Sequence, residues 1–481
     1  MKGEDIMSNH TMETTQDQEV LKKFKYKQEL NRSLKLFSAF AFAFSAISLT
    51  TGIFMNFGFV MSTIGSVGIW TFPLVGIGSI LVAIIFGEIS THVPITGHCY
   101  MWITKLHSKR MGWIIGWTNF CYLIIILPSI NTALAPVILS LIGLPVTAHS
   151  VALVAEIALT LQLLLNVLSI KTSSAINCAA VVTESLGVLL LTVVLGICAF
   201  RNGAPLSNTM EVLPALAGKS LFLPVLMSFL LGFYTLVGFE SAANMSEETH
   251  NAVKNVPRAM ISSISLSTIF GALFLFALTM AVKNFDKVAA SASPIPLVIE
   301  SNLGPVIGKL FLIIICISIF ACGLVFMTSA SRTVYAMSRD NAFFASGLFK
   351  KVSPKTATPI PACLLFWVIG TIFLNTTTPT ILAVASAALP SLYYLLTIIC
   401  YAQVRKNLPP VPGAFHMKKW GKPIIAVAIL WLAFGFSILS FPKDFRSATI
   451  VNVAFVGVGL LLYYVYFGKK VNAVDPEIIK S

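Results

Sequence analysis

The chain has 481 residues, of which 56% are hydrophobic and 11% charged. A water-soluble domain of this size needs a larger charged surface, so a soluble enzyme or binding module is excluded and lipid is the natural solvent. A formal net charge of +14 would suit a nucleic-acid partner only if the basic residues formed a patch, so their distribution decides what it means.

Apolar runs of about 20 residues, enough to cross a hydrocarbon core, lie near 36–58, 66–90, 111–135, 151–169, 176–200, 219–242, 259–282, 306–331, 360–375, 379–402, 422–440 and 449–467. The ninth is short and polar-ended. These predict an all-α membrane protein with twelve transmembrane helices, because a helix satisfies its backbone groups within its own segment. With the N-terminus in the cytoplasm, 26 of the 33 Lys and Arg residues fall on the cytoplasmic side, as the positive-inside rule requires. The basicity is topological. It needs no nucleic acid and places both termini in the cytoplasm of a multi-pass protein of a plasma or bacterial inner membrane. The longest polar stretches, 247–258, 339–358 and 405–422, are too short to fold alone, so function sits within the bundle.

In chain order, residues 1–32 read as a disordered cytoplasmic tail without the apolar stretch of a signal peptide. The basic segment from Val20 to Lys35 is mildly amphipathic, suited to the inner membrane surface or to a plain positive flank. Span one carries Ser45, Ser48, Thr50, Thr51 and Gly52 at mid-depth, where hydroxylated and β-branched residues weaken a helix. If it unwinds there, N–H groups near Thr50, Thr51 and Gly52 and the helix dipole favour a carboxylate, while carbonyls around Ser45 to Ser48 suit an ammonium. Glu88 near the end of span two is expected to order that end. His92 and His98 follow in a loop and read as solvated. Glu156 in span four is close enough to the surface to reach outward.

Glu184 sits in the middle of span five among apolar neighbours. An ionisable residue at that depth is expensive and carries a presumption of function. It is a candidate proton-coupling group or a hydrogen-bonded structural carboxyl. Span six is interrupted again, at Gly232, Phe233, Tyr234, Val237 and Gly238, and its carbonyls near Phe233 and Tyr234 also suit an ammonium. Tyr234 is placed to close over a ligand or contact a cation by its ring face. Glu240, Glu247 and Glu248 end this span, with Arg258 or Arg332 as partners and a gating or structural role. Interrupted spans five apart are what two inverted five-span repeats produce, and paired glycine-interrupted helices point to a midplane site. The resulting division is a core over 33–404, with halves near 33–200 and 215–404, then helices eleven and twelve over 405–468 and a cytoplasmic tail over 469–481. Eight cysteines lack CxxC spacing and read as packing residues, with no disulfide framework, metal site or cofactor expected.

The run Gly238-Phe239-Glu240-Ser241-Ala242-Ala243-Asn244-Met245-Ser246-Glu247-Glu248-Thr249, continuing to Asn255-Val256-Pro257-Arg258-Ala259, resembles the signature after the sixth helix of amino acid–polyamine–organocation permeases. Ser48 to Phe54, Glu88-Ile89-Ser90 with Pro94 and Gly97 to Trp102, and Ala330 to Asp340 resemble other motifs of that family. They are most similar to the branch with fungal GABA and choline permeases. The resemblance implies a leucine-transporter-type 5+5 inverted repeat, alternating access, and substrate held between broken first and sixth helices. It also implies a sodium or substitute site in span eight around Thr328 and Ser329, and aligns Glu184 near a lysine that replaces the ion in some members. Asp340-Asn341-Ala342-Phe343-Phe344 departs from the family's Asp-Gly-x-Leu-Pro.

The reading is a secondary transporter of amino acids, GABA-like ones among them, coupled to protons (sodium is the other candidate) or running as an exchanger. Choline or polyamine transport and a transporter-like nutrient sensor are the alternatives. Polyamines would call for acidic side chains at the breaks, and none stands within either interrupted segment. A channel lacks its ring of repeated polar residues, and an enzyme lacks a nucleophile with its base.

Overall fold

The computed structural model describes residues 24, 26–27, 29–168 and 170–472. Most of the sequence-predicted terminal tails, 1–32 and 469–481, lies outside the described residues. Among the described residues there is no strand, only a single bridge between Leu34 and Thr249.

The helices, in order, are α1 (Leu36–Ile47), α2 (Leu49–Thr63), α3 (Thr71–His92), α4 (His98–Leu106), α5 (Lys109–Ile142), α6 (Ala148–Leu168), α7 (Ile170–Arg201), α8 (Phe222–Ser228) and α9 (Leu230–Thr235). They continue with α10 (Ser241–Asn244), α11 (Ala252–Met280), α12 (Pro294–Arg339), α13 (Ile360–Thr376), α14 (Pro379–Val404), α15 (Gly421–Ser440) and α16 (Arg446–Leu462), with shorter turns between. Among the described residues, ten helical segments are long and apolar enough to cross a membrane. Two shorter apolar ones, Phe222–Thr235 and Ile360–Thr376, fall where the sequence predicts spans six and nine.

Which helices form the centre follows from their composition. The apolar windows of α1–α2 and α5 are 78% and 83% buried, against 33% for α6 and for α7. Outer helices turn an apolar stripe outward: Ile157, Leu161, Leu164 and Leu168 on α6, and Leu186, Leu190, Val193 and Ile197 on α7, are exposed. Their alternating spacing of four and three residues marks one helical face, the pattern of a surface facing lipid. Inside, α5 packs against α12 and α14, while α11 packs against α1 and α3. This places the two interrupted helices in the middle of the bundle.

The left-handed turns explain one departure noted above. Asn341 adopts a φ of 56°, a region that favours glycine and that asparagine tolerates best among other residues. The loop after α12 thus keeps its turn with Asn341 in place of the family's glycine. Ala342 and Phe343 are buried beneath it, and the Ala342 carbonyl accepts from Trp113 Nε1 at 2.8 Å.

Candidate functional site

The first interrupted span breaks at one residue. Ser48 has φ 34° and ψ 89°, a left-handed conformation between α1 and α2. A non-glycine residue there costs on the order of 1 kcal/mol, which the side chain offsets by capping α2. Ser48 Oγ accepts from the Thr51 N–H at 3.3 Å and pairs with the Thr51 hydroxyl at 2.6 Å.

The second interrupted span loses its helix after Thr235. Leu236 has φ −94° and ψ 46°, and helical backbone resumes only at α10. Gly238 sits in this gap with φ 89°. A Cβ there would lie 3.1 Å from the Ala46 carbonyl oxygen and 3.0 Å from Phe326 Cζ, so the uncoiled strand crosses directly over the end of α1. The second contact between the breaks is tighter. A Cβ on Gly52 would stand 2.1 Å from Thr235 Oγ1 and 2.7 Å from Thr235 Cα, so α2 and α9 meet nearly backbone to backbone.

The peptide N–H groups expected to stand bare are partnered. Gly52 donates to the Ser48 carbonyl at 3.1 Å, Thr51 to Ser48 Oγ, and Thr50 to Glu184 Oε1 at 3.5 Å. Glu184 also accepts the Thr50 hydroxyl at 3.1 Å, and that hydroxyl pairs with Ser318 at 2.7 Å. A carboxyl of the protein itself therefore occupies the start of α2, where the helix dipole favours negative charge. Glu240 closes the other break, accepting from Tyr393 at 2.7 Å and from Tyr394. The Tyr394 hydroxyl in turn accepts from the Gly238 N–H at 3.4 Å. The expectation that no acidic side chain stands at either break is corrected: two do, one delivered by a neighbouring helix and one by the chain just past the gap.

The other predicted residues divide between the second break and the surrounding helices. The Phe233 ring stacks on Trp431 with centroids 5.5 Å apart and covers Gly435 on α15, away from the breaks. Tyr234 shares a hydrogen bond of 2.9 Å with Ser129 on α5. Val237 is buried in the gap. Thr328 donates to Asn166 at 2.5 Å, and Ser329 accepts from Asn244 at 2.6 Å. Both sit about two to three turns along α12 from the residues that face the first break. Those are Ser318, bonded to Thr50, and Cys322, whose thiol points at the Ala46 carbonyl at 3.7 Å. Their four-residue spacing in an apolar helix was the available signal.

Among the described residues, the buried polar groups without a partner include the Ser45 hydroxyl at the end of α1 and two groups that were not anticipated, the Tyr122 hydroxyl and both amide atoms of Asn177, two turns before Glu184 on α7. Tyr122 lies between Phe326 and Tyr393, with centroids 6.0 Å and 5.9 Å away. His98, read from sequence as solvated, is instead buried between Trp102 and Tyr393, with Asn119 at 3.2 Å from its Nε2.

The two ends of the bundle differ. At the end away from Leu36, a cavity of about 300 Å³ opens between Asn56, Phe59, Thr132, Leu230, Pro294 and Thr380. The opposite end is closed by ion pairs. Arg332 meets Glu248 at 3.0 Å and Arg339 meets Glu247 at 2.9 Å. Arg258 makes neither contact. Glu88 holds Tyr401 and Arg405, each at 2.6 Å, with His416 at 2.9 Å, tying α3 to α14 and to the segment before α15. Tyr26 adds a bond of 2.8 Å to Asp340 beneath the Arg339 guanidinium, which lies 3.9 Å over its ring. Within the segment 20–35, Tyr26 therefore packs on protein, while the two sequence alternatives, an inner-surface segment or a plain positive flank, fall partly outside the described residues.

Arg332 is 1% exposed and its Glu248 partner is fully buried. Removing one member of such a pair leaves an uncompensated charge. Arg332→Ala is expected to destabilise the closed end by about 3–5 kcal/mol. The joint replacement Arg332→Leu with Glu248→Leu should cost much less. Thermal unfolding of both variants in detergent measures the difference, and equal losses would show that the ion pair does not control this end.

A family model described as amino acid permease matches residues 34–463. The chain is 29% identical over 490 residues to "Amino-acid permease BAT1" of Arabidopsis thaliana, covering 94% of each chain. It is 30% identical to "Amino-acid permease BAT1 homolog" of Oryza sativa subsp. japonica, covering 92% of each. It is 24% identical to "Putative polyamine transporter" of Candida albicans, covering 96% of this chain and 90% of that one. With its apolar helices and its two interrupted spans, this chain belongs to the amino acid permease family of the amino acid–polyamine–organocation superfamily and is an integral, multi-pass membrane protein.

Proposed function

We propose that the chain is a secondary active transporter of amino acids, working by alternating access around the breaks at Ser48 and at 236–240. The observation that carries this reading is the crossing itself. Two mid-bundle helices lose their ladders at the same depth and touch through Gly52 and Gly238, so a small change in either moves the other. Spans one to five and six to ten form the two inverted repeats, and both termini face the cytoplasm. With that orientation, the cavity near Asn56 is an outer vestibule and the ion pairs of Glu88, Glu247 and Glu248 are the closed inner gate.

In this mechanism the substrate's ammonium sits against the carbonyl end of α1, near Ala46, and Tyr122 and Ser45 offer it hydroxyls. Its carboxylate approaches the start of α2, where Ser48, Thr50 and Thr51 hold the capping network. Entry there requires Glu184 to give up its bond to Thr50. That competition links the substrate to the charge state of one buried carboxyl, which is how a proton would be coupled to transport. Val237 and Gly238 line the crossing, and Glu240 holds the uncoiled segment through two tyrosines. Thr328 and Ser329 act as helix-packing groups in this scheme.

A second reading, a cationic amine such as a polyamine as substrate, is favoured by one observation: among the described residues no cation pairs with Glu184. Purified protein in liposomes separates the two. An inward proton gradient should drive accumulation of a neutral or ω-amino acid from sodium-free medium. Accumulation of putrescine or choline alone would shift the assignment to amines, and binding without net flux of any of them would identify a sensor and overturn transport.

A further inference from the structure

Beside the bundle, at the start of α1 and α11, lies a cavity of about 750 Å³, the largest by volume of those described. Its walls are apolar on the α1 side, where Leu36 and Phe37 are 40% and 50% exposed and Phe40 stands above them. The floor is α11, with Lys254 and Arg258 followed by Ser262 one turn further, and Phe415 closes the side.

Lys254 and Arg258 are four residues apart, so they share one helical face, and like charges in that register repel. The cavity lining contains no Asp or Glu to offset them. Neither side chain joins an ion pair among the described residues. Two cations at the mouth of an apolar cleft therefore call for an anion attached to hydrocarbon. The depth agrees, because both helices begin here, at the level where the hydrocarbon core gives way to water.

We propose that this cleft is a binding site for one anionic phospholipid. The phosphate lies between Lys254 and Arg258, Ser262 adds a hydroxyl, and an acyl chain runs along Phe37, Phe40 and Ile261. Free phosphate would leave the aromatic wall unused. A peptide segment would need apolar residues in its acidic stretch, whereas residues 1–19, with Glu4, Asp5, Glu13, Asp17 and Glu19, are mostly polar. The cytoplasmic leaflet, where the proposed orientation puts this cleft, is the one rich in anionic lipid. Because the lipid would wedge against α1, the site touches the helix that ends at Ser48.

The test uses the full chain in nanodiscs of phosphatidylcholine containing phosphatidylglycerol, with retained lipids counted by native mass spectrometry. Phosphatidylglycerol should be retained in preference to phosphatidylcholine. Each basic side chain near an anionic surface strengthens the attraction roughly fivefold, so Lys254→Ala with Arg258→Ala should weaken retention about thirtyfold. Ser262→Trp, which fills the cleft and keeps both charges, should also abolish retention, while Lys283→Ala with Lys287→Ala should leave it unchanged. Monodisperse elution and an unshifted unfolding temperature show that each variant is folded. Equal retention of the two lipids, or retention that survives both cleft variants, overturns the proposal. So does displacement of the lipid by soluble glycerol 1-phosphate, which would mark a free-phosphate site. A gain in lipid retention on deleting residues 2–20 would make the tail the resident and would overturn it as well. None of these outcomes depends on what the protein transports.

Discussion

Gly52→Ala is expected to abolish transport while leaving most of the fold intact. The added methyl would stand 2.1 Å from Thr235 Oγ1, 2.5 Å from its Cβ and 2.7 Å from its Cα. A flexible side chain could swing away, but the Cα atom belongs to α9 and moves only with its helix. Overpacking of this kind costs typically 1–3 kcal/mol, and here the strain falls on the contact that joins the two breaks. The uptake rate in liposomes should drop to background, with a fall of a few degrees in unfolding temperature. Thr235→Gly removes two of the three clashing atoms, so the double variant should recover part of the activity lost by Gly52→Ala alone. Recovery is the decisive arm, since coupled neighbours depart from additivity and independent ones do not. Wild-type uptake by Gly52→Ala would mean that the α2–α9 approach has no part in transport.

Glu184→Gln should remove the dependence of uptake on a pH gradient and leave exchange of labelled for unlabelled substrate in place. The side chain is 2% exposed and accepts from both the N–H and the hydroxyl of Thr50. An amide keeps the size and one acceptor oxygen, so the capping network around Ser48 should persist. What it loses is the ability to take and release a proton. Accumulation against a gradient should fall to the level of passive equilibration, up to about tenfold below wild type if the inward gradient is about one pH unit, because one coupled proton can support roughly that concentration ratio. Undiminished accumulation would assign coupling elsewhere, with Glu240 the next carboxyl to test because it reaches the other break.

Much of this architecture was legible in the sequence because the relevant signal is local. A run of 20 apolar residues crosses a bilayer whatever surrounds it. Helix-weakening residues at Ser48 to Gly52 and a glycine at 238 mark a break for reasons confined to a few peptide units. The closed end was partly legible too, since Glu247, Glu248 and Arg332 sit in motifs and charges at that depth must pair. The pairing of Glu247 with Arg339, and the absence of Arg258 from either pair, were not.

What remained hidden depends on which face of a helix meets which neighbour. The twelve apolar segments, the two interruptions and the unusual carboxyl at Glu184 follow from residue types and their spacing alone, because backbone hydrogen bonding and transfer into lipid are settled segment by segment. Only the packing decided that Glu184 reaches Thr50, that Ser318 and Cys322 rather than Thr328 and Ser329 face the first break, and that Phe233 points to α15. Rotating a helix by one residue swings a side chain through about 100°, and an apolar helix buried on most sides carries almost no hydrophobic asymmetry to set that rotation. Tertiary contacts supply the missing term. A glycine that admits Thr235, or a hydroxyl that satisfies a buried carboxyl, fixes the rotation that sequence periodicity leaves free.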